Sequence, residues 1–336
     1  MGMGEYRMQP MGNALVSVII PMYNAECYIA ETIESVLNQT WKNIELIIVD
    51  DGSSDNSLLI AQRYVSDKVF VYTQPNQGAP KARNLGFSYS QGDYIQYLDA
   101  DDLLSPEKVE KQINALRLMN AENAIATCTF YQYINGRVQP EWSNLAKVNR
   151  NYDTGISLQI DLWRYFIPSY IPSCYLTPRH LVESVGGWNE HLYKNQDGEF
   201  FARVLKKVDN VVFVEKEYVL WRYVADSISH THSAVKADSV LTSYIFIAEL
   251  LLKNAGATAK IAIGIAFGYM IYYDIVTYKQ LKKALNFLRQ NHISPIYPSN
   301  SIVFRWSSML SNPLLGRKIN ELYKIVKSVI WKRTNH

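Results

Sequence analysis

Cysteine is scarce: Cys27, Cys128 and Cys174 are the only three in 336 residues, odd in number and widely spaced. That pattern signals neither a disulfide framework nor a CxxC metal site, and it fits a reducing cytoplasm. Charge of one sign is lacking too. With 34 basic against 31 acidic residues the net charge is +3, too even for nucleic acid to be the main partner. No G-x-G-x-x-G follows the first apolar strand and no G-x-x-x-x-G-K-[ST] occurs, so neither a nicotinamide-dinucleotide fold nor a P-loop is signalled. Long apolar runs are missing as well. Ile261 to Tyr273 is thirteen residues between Lys260 and Asp274, short of the about twenty that span a bilayer, and reads as a buried helix. The opening stretch, residues 1–14, lacks the charged-then-apolar pattern of an export signal and reads as a disordered leader.

Apolar and aromatic residues, at 48% and 12%, provide ample core. Val16 to Pro21 reads as a buried strand, followed by the loop Met22-Tyr23-Asn24. A helix comes next with Ile29, Ile33, Val36 and Leu37 on one stripe, and then the strand Ile44 to Val49, ending in Asp50-Asp51-Gly52. The alternation continues with a helix over Leu58 to Tyr64, a strand at Val69 to Tyr72, a helix over Ala79 to Tyr89, and the strand Tyr94 to Leu98. Such βαβ units put their strand-to-helix loops at one sheet edge, where ligands of open α/β sheets bind. The last of these strands runs into Asp99, Asp101 and Asp102, three carboxylates in four residues. Like charges so close are favourable mainly around a cation, and oxygen-only donors suit Mg2+ or Mn2+ with open positions for phosphate oxygens. Alternatively, Asp101 and Asp102 charge the first turn of a helix opening at Ser105-Pro106.

Beyond Pro106 a helix carries Val109, Ile113 and Leu116, and the segment Ala124 to Ile134 meets the turn Asn135-Gly136, a hairpin signal. The aromatic stretch Glu141 to Tyr170, with Trp142, Tyr152, Trp163, Tyr165, Phe166 and Tyr170, is either an acceptor wall or core packing. Tyr218 to Tyr223 reads as a closing strand, and from Ser239 the period is helical. The tail from Asn312 carries Arg317, Lys318, Lys324, Lys327, Lys332 and Arg333 against Glu321, with Ile319, Leu322, Tyr323, Val326 and Ile330 at helical spacing. A basic amphipathic helix of this kind lies on anionic lipid or docks on its own domain.

Four ordered motifs over about a hundred residues carry a resemblance: Val16-Ser17-Val18-Ile19-Ile20-Pro21-Met22-Tyr23-Asn24, Ser35-Val36-Leu37-Asn38-Gln39-Thr40, Ile48-Val49-Asp50-Asp51-Gly52-Ser53-Ser54-Asp55, and Ala82-Arg83-Asn84-Leu85-Gly86. With the acidic cluster they resemble family 2 glycosyltransferases, nucleotide-sugar enzymes that build bacterial surface polysaccharides. The resemblance implies a GT-A fold: a Rossmann-like mixed α/β sheet flanked by helices over residues 15–235, followed here by a helical C-terminal region over 236–336. It places the nucleotide against Pro21, Tyr23, Asn24, Asp50, Asp51, Arg83, Asp99, Ala100 and Asp101. Tyr23 would stack near the base, Asp51 accept a hydrogen bond from it, and Arg83 contact the diphosphate or stand as an exposed helix arginine. A carboxylate facing uracil N3–H favours UDP. Asp101 and Asp102 would hold Mn2+ or Mg2+.

Gly186-Gly187-Trp188-Asn189-Glu190 and Gln196-Asp197-Gly198-Glu199 match a second family motif, in which Asp197 takes the position of the general base. By that resemblance Glu199 would be the reserve base and Trp188 and Gln196 would face the acceptor, and Asp197 as a helix cap is the structural alternative. Gln196 stands where the family usually has glutamate, and Val224 where many relatives have a metal-side histidine; His230 or His232 could substitute. The implied reaction is inverting transfer of a sugar to a glycan or lipid-linked acceptor, in the cytoplasm or at the inner face of the plasma membrane. A polyprenyl-phosphate sugar transferase and a non-catalytic glycan-binding protein on the same fold are the alternatives.

Overall fold

The computed structural model describes residues 13–224, 233–275 and 277–297. His230, His232, the leader before residue 13 and the basic tail lie outside them. The chain divides into two compact units, Met1–His230 and Thr231–His336.

The first unit opens with β1 (Val16–Met22), α1 (Ile29–Leu37), β2 (Ile44–Asp50), α2 (Ser57–Gln62), β3 (Val69–Thr73), α3 (Ala79–Tyr89) and β4 (Tyr94–Tyr97). The four strands are parallel in the order β3-β2-β1-β4, with Val16 in register with both Ile44 and Tyr94. Every residue of β1 is buried, as expected of a parallel strand covered on both faces. Helix α3 lies so close to β1 that a Cβ on Gly86 would sit 2.5 Å from Ile19 Cγ2. Helix α1 buries Ile29, Thr32, Ile33 and Val36 and ties down the segment beyond β4: Thr32 Oγ1 donates to the Ala100 carbonyl at 3.0 Å. Gln39, fully buried, donates to the Ser105 carbonyl and accepts from the Val109 N–H.

The chain continues through β5 (Leu103–Leu104), α4 (Lys108–Met119), β6 (Ala124–Ile134), β7 (Arg137–Val138), α5 (Gly155–Arg164), β8 (Thr177–Pro178), α6 (Arg179–Val185), α7 (Gln196–Leu205) and β9 (Asn210–Arg222). Strand β8 joins the first sheet antiparallel to β4, and the second sheet runs β5-β9-β6-β7. The Asn135-Gly136 hairpin forms with both residues at positive φ, 49° and 76°, the conformation for which that pair is suited. Two expectations are corrected. Helix α4 starts at Lys108, because the Ser105 hydroxyl donates to Glu217 and does not cap. Since β5 intervenes, Asp101 and Asp102 do not charge a helix turn. The closing strand is also longer than its sequence signal, reaching back to Asn210 because Val211, Val212 and Val214 bury their side chains beside β6.

The second unit contains α8 (Ala234–Ala255), α9 (Lys260–Tyr273) and α10 (Tyr278–Gln290), the last opened by a capping box between Thr277 and Gln280. Helix α9 is the expected buried apolar helix, with Gly264 and Gly268 set against the backbone of Ser294 and Ile296. Among the described residues no helix is long and apolar enough to cross a membrane.

Candidate active site

The carboxyl ends of β1, β2 and β4 form one rim. Past β1, Tyr23 is 50% exposed, and Asn24, at φ 47°, accepts the Ser54 N–H on its side-chain oxygen, which joins the first loop to the second. Pro21 is buried in the strand itself. At the end of β2, Asp50 is buried and accepts from the Ser53 N–H. Asp51 is buried as well: Oδ1 accepts from Gln74 Nε2 at 2.7 Å and the Gln77 N–H at 2.8 Å, and Oδ2 from the Gly78 N–H at 2.8 Å. A carboxylate has about four acceptor positions, so one remains on Oδ2. Gln74, Gln77 and Gly78 are partners no motif announced.

At the end of β4, Asp99 is partly exposed and paired with Arg83 at 2.7 Å, while Ala100 is buried beneath the Thr32 bond. Burial, reinforced by Asp99, pushes the Asp101 carboxyl up to about 6. Asp102 is fully buried, and burial first, then Asp101 and Asp99, hold it well above the carboxylate range. Its two oxygens accept from the Ser173 hydroxyl at 3.0 Å and the Arg222 N–H at 3.1 Å. Arg222 also donates from Nε to the Asp101 carbonyl and stacks between Tyr28 and Tyr133. Among the described residues no three His, Cys, Asp or Glu side chains are gathered around one point. Mg2+ needs only one or two carboxylates when substrate phosphates and water complete its shell, and the raised carboxyls of Asp101 and Asp102 would be relieved by such a cation. The donor set fits.

Arg83 is the centre of the rim. It is buried, its guanidinium carbon lies 4.3 Å from the Trp188 ring centroid, and only Nη2 is bonded, to Asp99; Nε and Nη1 are enclosed without a partner. Asn84, its neighbour on α3, accepts the Trp188 N–H at 2.7 Å and donates to the Trp188 carbonyl and to Glu190. Gly187 has φ 81° and a Cβ there would lie 2.7 Å from Asn84 Oδ1, so the Gly-Gly-Trp turn is shaped to this clamp. Sequence alone singled out Arg83 and passed over Asn84, although both stand in the same motif.

Trp188 itself is corrected. It is 3% exposed, stacked on Phe200 at 4.2 Å with Arg83 on its ring, so it has no face for an acceptor and keeps only an unbonded indole N–H. Tyr152, Trp163 and Tyr170 are likewise core residues, so half of the six aromatics of that stretch cannot form an acceptor wall. Gln196 opens α7 with its side-chain oxygen buried and unbonded. Asp197, in the first turn behind Asn195, is not the cap; it is partly buried and accepts the Ser169 hydroxyl at 2.9 Å. Burial raises its pKa against the lowering effect of Ser169, the Gly198 N–H and Arg83. Glu199 faces elsewhere: Arg203 binds both its oxygens at 2.8 and 2.9 Å.

The rim residues from Pro21 to Asp102 lie within a known family pattern. The model of glycosyl transferase family 2 matches residues 17–186, more than half of the chain. The chain belongs to that family. An uncharacterized glycosyltransferase of Rickettsia prowazekii is 32% identical over 224 residues, 66% of this chain and 68% of its own length. One of Haemophilus influenzae is 48% identical over 108 residues, 31% of this chain; the chain spans 43% of that relative's length. Among solved structures, Staphylococcus aureus TarS 1–349 in complex with UDP-GlcNAc superposes with a TM-score of 0.69 at 18% identity, covering 92% of this chain and 91% of that one. The likeness confirms the GT-A architecture expected from the family motifs.

Proposed function

We propose that this family 2 enzyme transfers a sugar from a uridine diphosphate sugar to a hydroxyl of a glycan or lipid-linked acceptor of a surface polysaccharide, inverting the anomeric carbon. One observation carries the reading: buried Arg83 leaves two guanidinium nitrogens, Nε and Nη1, without partners beside the Asp99–Asp102 cluster. An enclosed guanidinium is costly unless its donors are met, and a diphosphate meets them with charge-assisted bonds. Asp51 supports uridine, because its one remaining acceptor position suits the N3–H of uracil, and exposed Tyr23 stands nearby on the same rim for the base.

In the transfer the acceptor oxygen attacks the anomeric carbon as the bond to the diphosphate breaks, and the electron pair leaves on the phosphate oxygen. Arg83 binds that leaving charge. Asp197 takes the hydroxyl proton on its carboxylate, oriented by Ser169. Mn2+ or Mg2+, held by Asp101 and Asp102, would supply further neutralisation of the leaving diphosphate when bound.

Thermal melts with UDP and GDP, each with Mn2+ and with EDTA, test donor and metal together. UDP in Mn2+ should raise the melting temperature most, since a ligand bound to the native state stabilises it by mass action. A guanosine preference would overturn the role of Asp51, and equal UDP stabilisation in EDTA would overturn the metal. Slow hydrolysis of a UDP-sugar without acceptor would distinguish an enzyme from a sugar-binding protein.

A further inference from the structure

The first unit carries an aromatic cluster that the donor rim does not use. Phe130 on β6, Trp221 on β9 and Trp142 after β7 form a closed triad, with ring centroids 5.5, 6.1 and 5.9 Å apart and each pair edge to face. Phe130 is core, Trp221 is half-buried and Trp142 is 43% exposed, so the triad is anchored at one end and open at the other. The backbone beneath Trp142 is held. Glu141 Oε1 accepts from Thr129 Oγ1 at 2.7 Å and Asn149 Nδ2 at 2.6 Å, and Asn149 Oδ1 accepts the Tyr170 hydroxyl at 2.8 Å.

Strand β9 joins the triad to the rim. Successive strand residues point to opposite faces, so Trp221 stands across the strand from the Arg222 side chain, whose backbone N–H meets Asp102. The chemistry of the triad selects its occupant. An anchored indole that is 43% exposed offers apolar surface for the C–H side of a sugar ring, and neighbouring Glu141 suits its hydroxyls. A phosphate headgroup is disfavoured: the adjacent charge is negative, and among the described residues no Lys or Arg stacks on Trp142 or Trp221.

We propose that Trp142 and Trp221 form a saccharide platform that binds a sugar unit of the acceptor, which makes the acceptor a glycan and not a bare lipid phosphate. The proposal rests on the sugar-transfer reading of the rim. It is tested on the full chain with its tryptophan indoles labelled for NMR, the Trp142 and Trp221 signals being assigned with W142F and W221F. The probes are the methyl glycosides of glucose, galactose and N-acetylglucosamine at millimolar concentration with UDP present, and glycerol 3-phosphate as the anionic control. At least one glycoside should move the Trp142 and Trp221 signals while glycerol phosphate moves neither. W142A should weaken that glycoside about tenfold, the scale of one aromatic contact, with UDP affinity unchanged and W142F partly restoring it. No response to any glycoside, a response that W142A leaves intact, or a response to glycerol phosphate overturns the platform. UDP binding in the same samples reports separately on the donor reading, so the two can fail independently.

Discussion

At Asp197 burial and hydrogen bonding pull in opposite directions, and burial wins. The carboxyl is pushed above its ordinary range, so the folded protein holds this proton at pH values where the unfolded chain has released it. Such a group adds stability below the unfolded-state pKa, and that contribution is lost as pH rises through the raised folded-state value. Asp197→Asn removes the charge, keeps an oxygen for Ser169, and should therefore melt higher than wild type at neutral pH, the difference vanishing in acid. With the proposed base also removed, turnover should fall about a hundredfold or more while UDP affinity stays close to wild type. Parallel melting curves and kinetics across pH check both; a variant that melts lower and loses UDP affinity would make Asp197 structural. Arg83 makes the complementary case. Arg83→Gln should abolish stabilisation by UDP, measured by thermal shift, because the buried guanidinium proposed to meet the diphosphate is gone.

Two elements each carry, among other ties, one polar side chain that makes more than one hydrogen bond. Asn84 fastens α3 to the Gly187-Trp188 turn through both backbone groups of Trp188, so Asn84→Ala should cost about 2 kcal/mol, read by denaturant unfolding, and weaken UDP through Arg83. Lys108, buried on α4, donates to Gln96 on β4 at 2.5 Å and to Gln112 at 2.8 Å, and burial lowers its pKa. Lys108→Met should cost on the order of 3 kcal/mol by the same measurement, because two glutamine oxygens are left buried and unmet. Ties of this kind mark the boundary of what was legible in the sequence. Strand ends, the Asn135-Gly136 turn and the acidic cluster are local signals, written in consecutive residues, and the fold obeys them. The burial of Trp188, Tyr152, Trp163 and Tyr170 is not local, since an aromatic ring reads alike whether it faces a sugar or the core. Ser169 and Ser173 were invisible for the same reason: a serine shows its role only through the carboxylate it meets.

The molecule as a whole joins two sheets around one acidic loop, with a helical unit next in the chain. With the nucleotide bound at the rim of the first unit, UDP at a hundredfold excess over its Kd should stabilise that unit's unfolding transition by about 2.7 kcal/mol in calorimetry. A shift confined to the transition of the second unit would displace the donor site from the rim.

The contacts of Asp102 have a further consequence for the timing of synthesis. Its partners Ser173 and Arg222 come 71 and 120 residues later in the chain. On the ribosome, the first four parallel strands are made before either partner, and Asp102 lacks its Arg222 contact until the last strand of the second sheet has been made. A nascent chain halted before Arg222 has the strands that carry the rim but not the residue whose N–H meets Asp102, so the proposed donor site is complete only once that residue is in place.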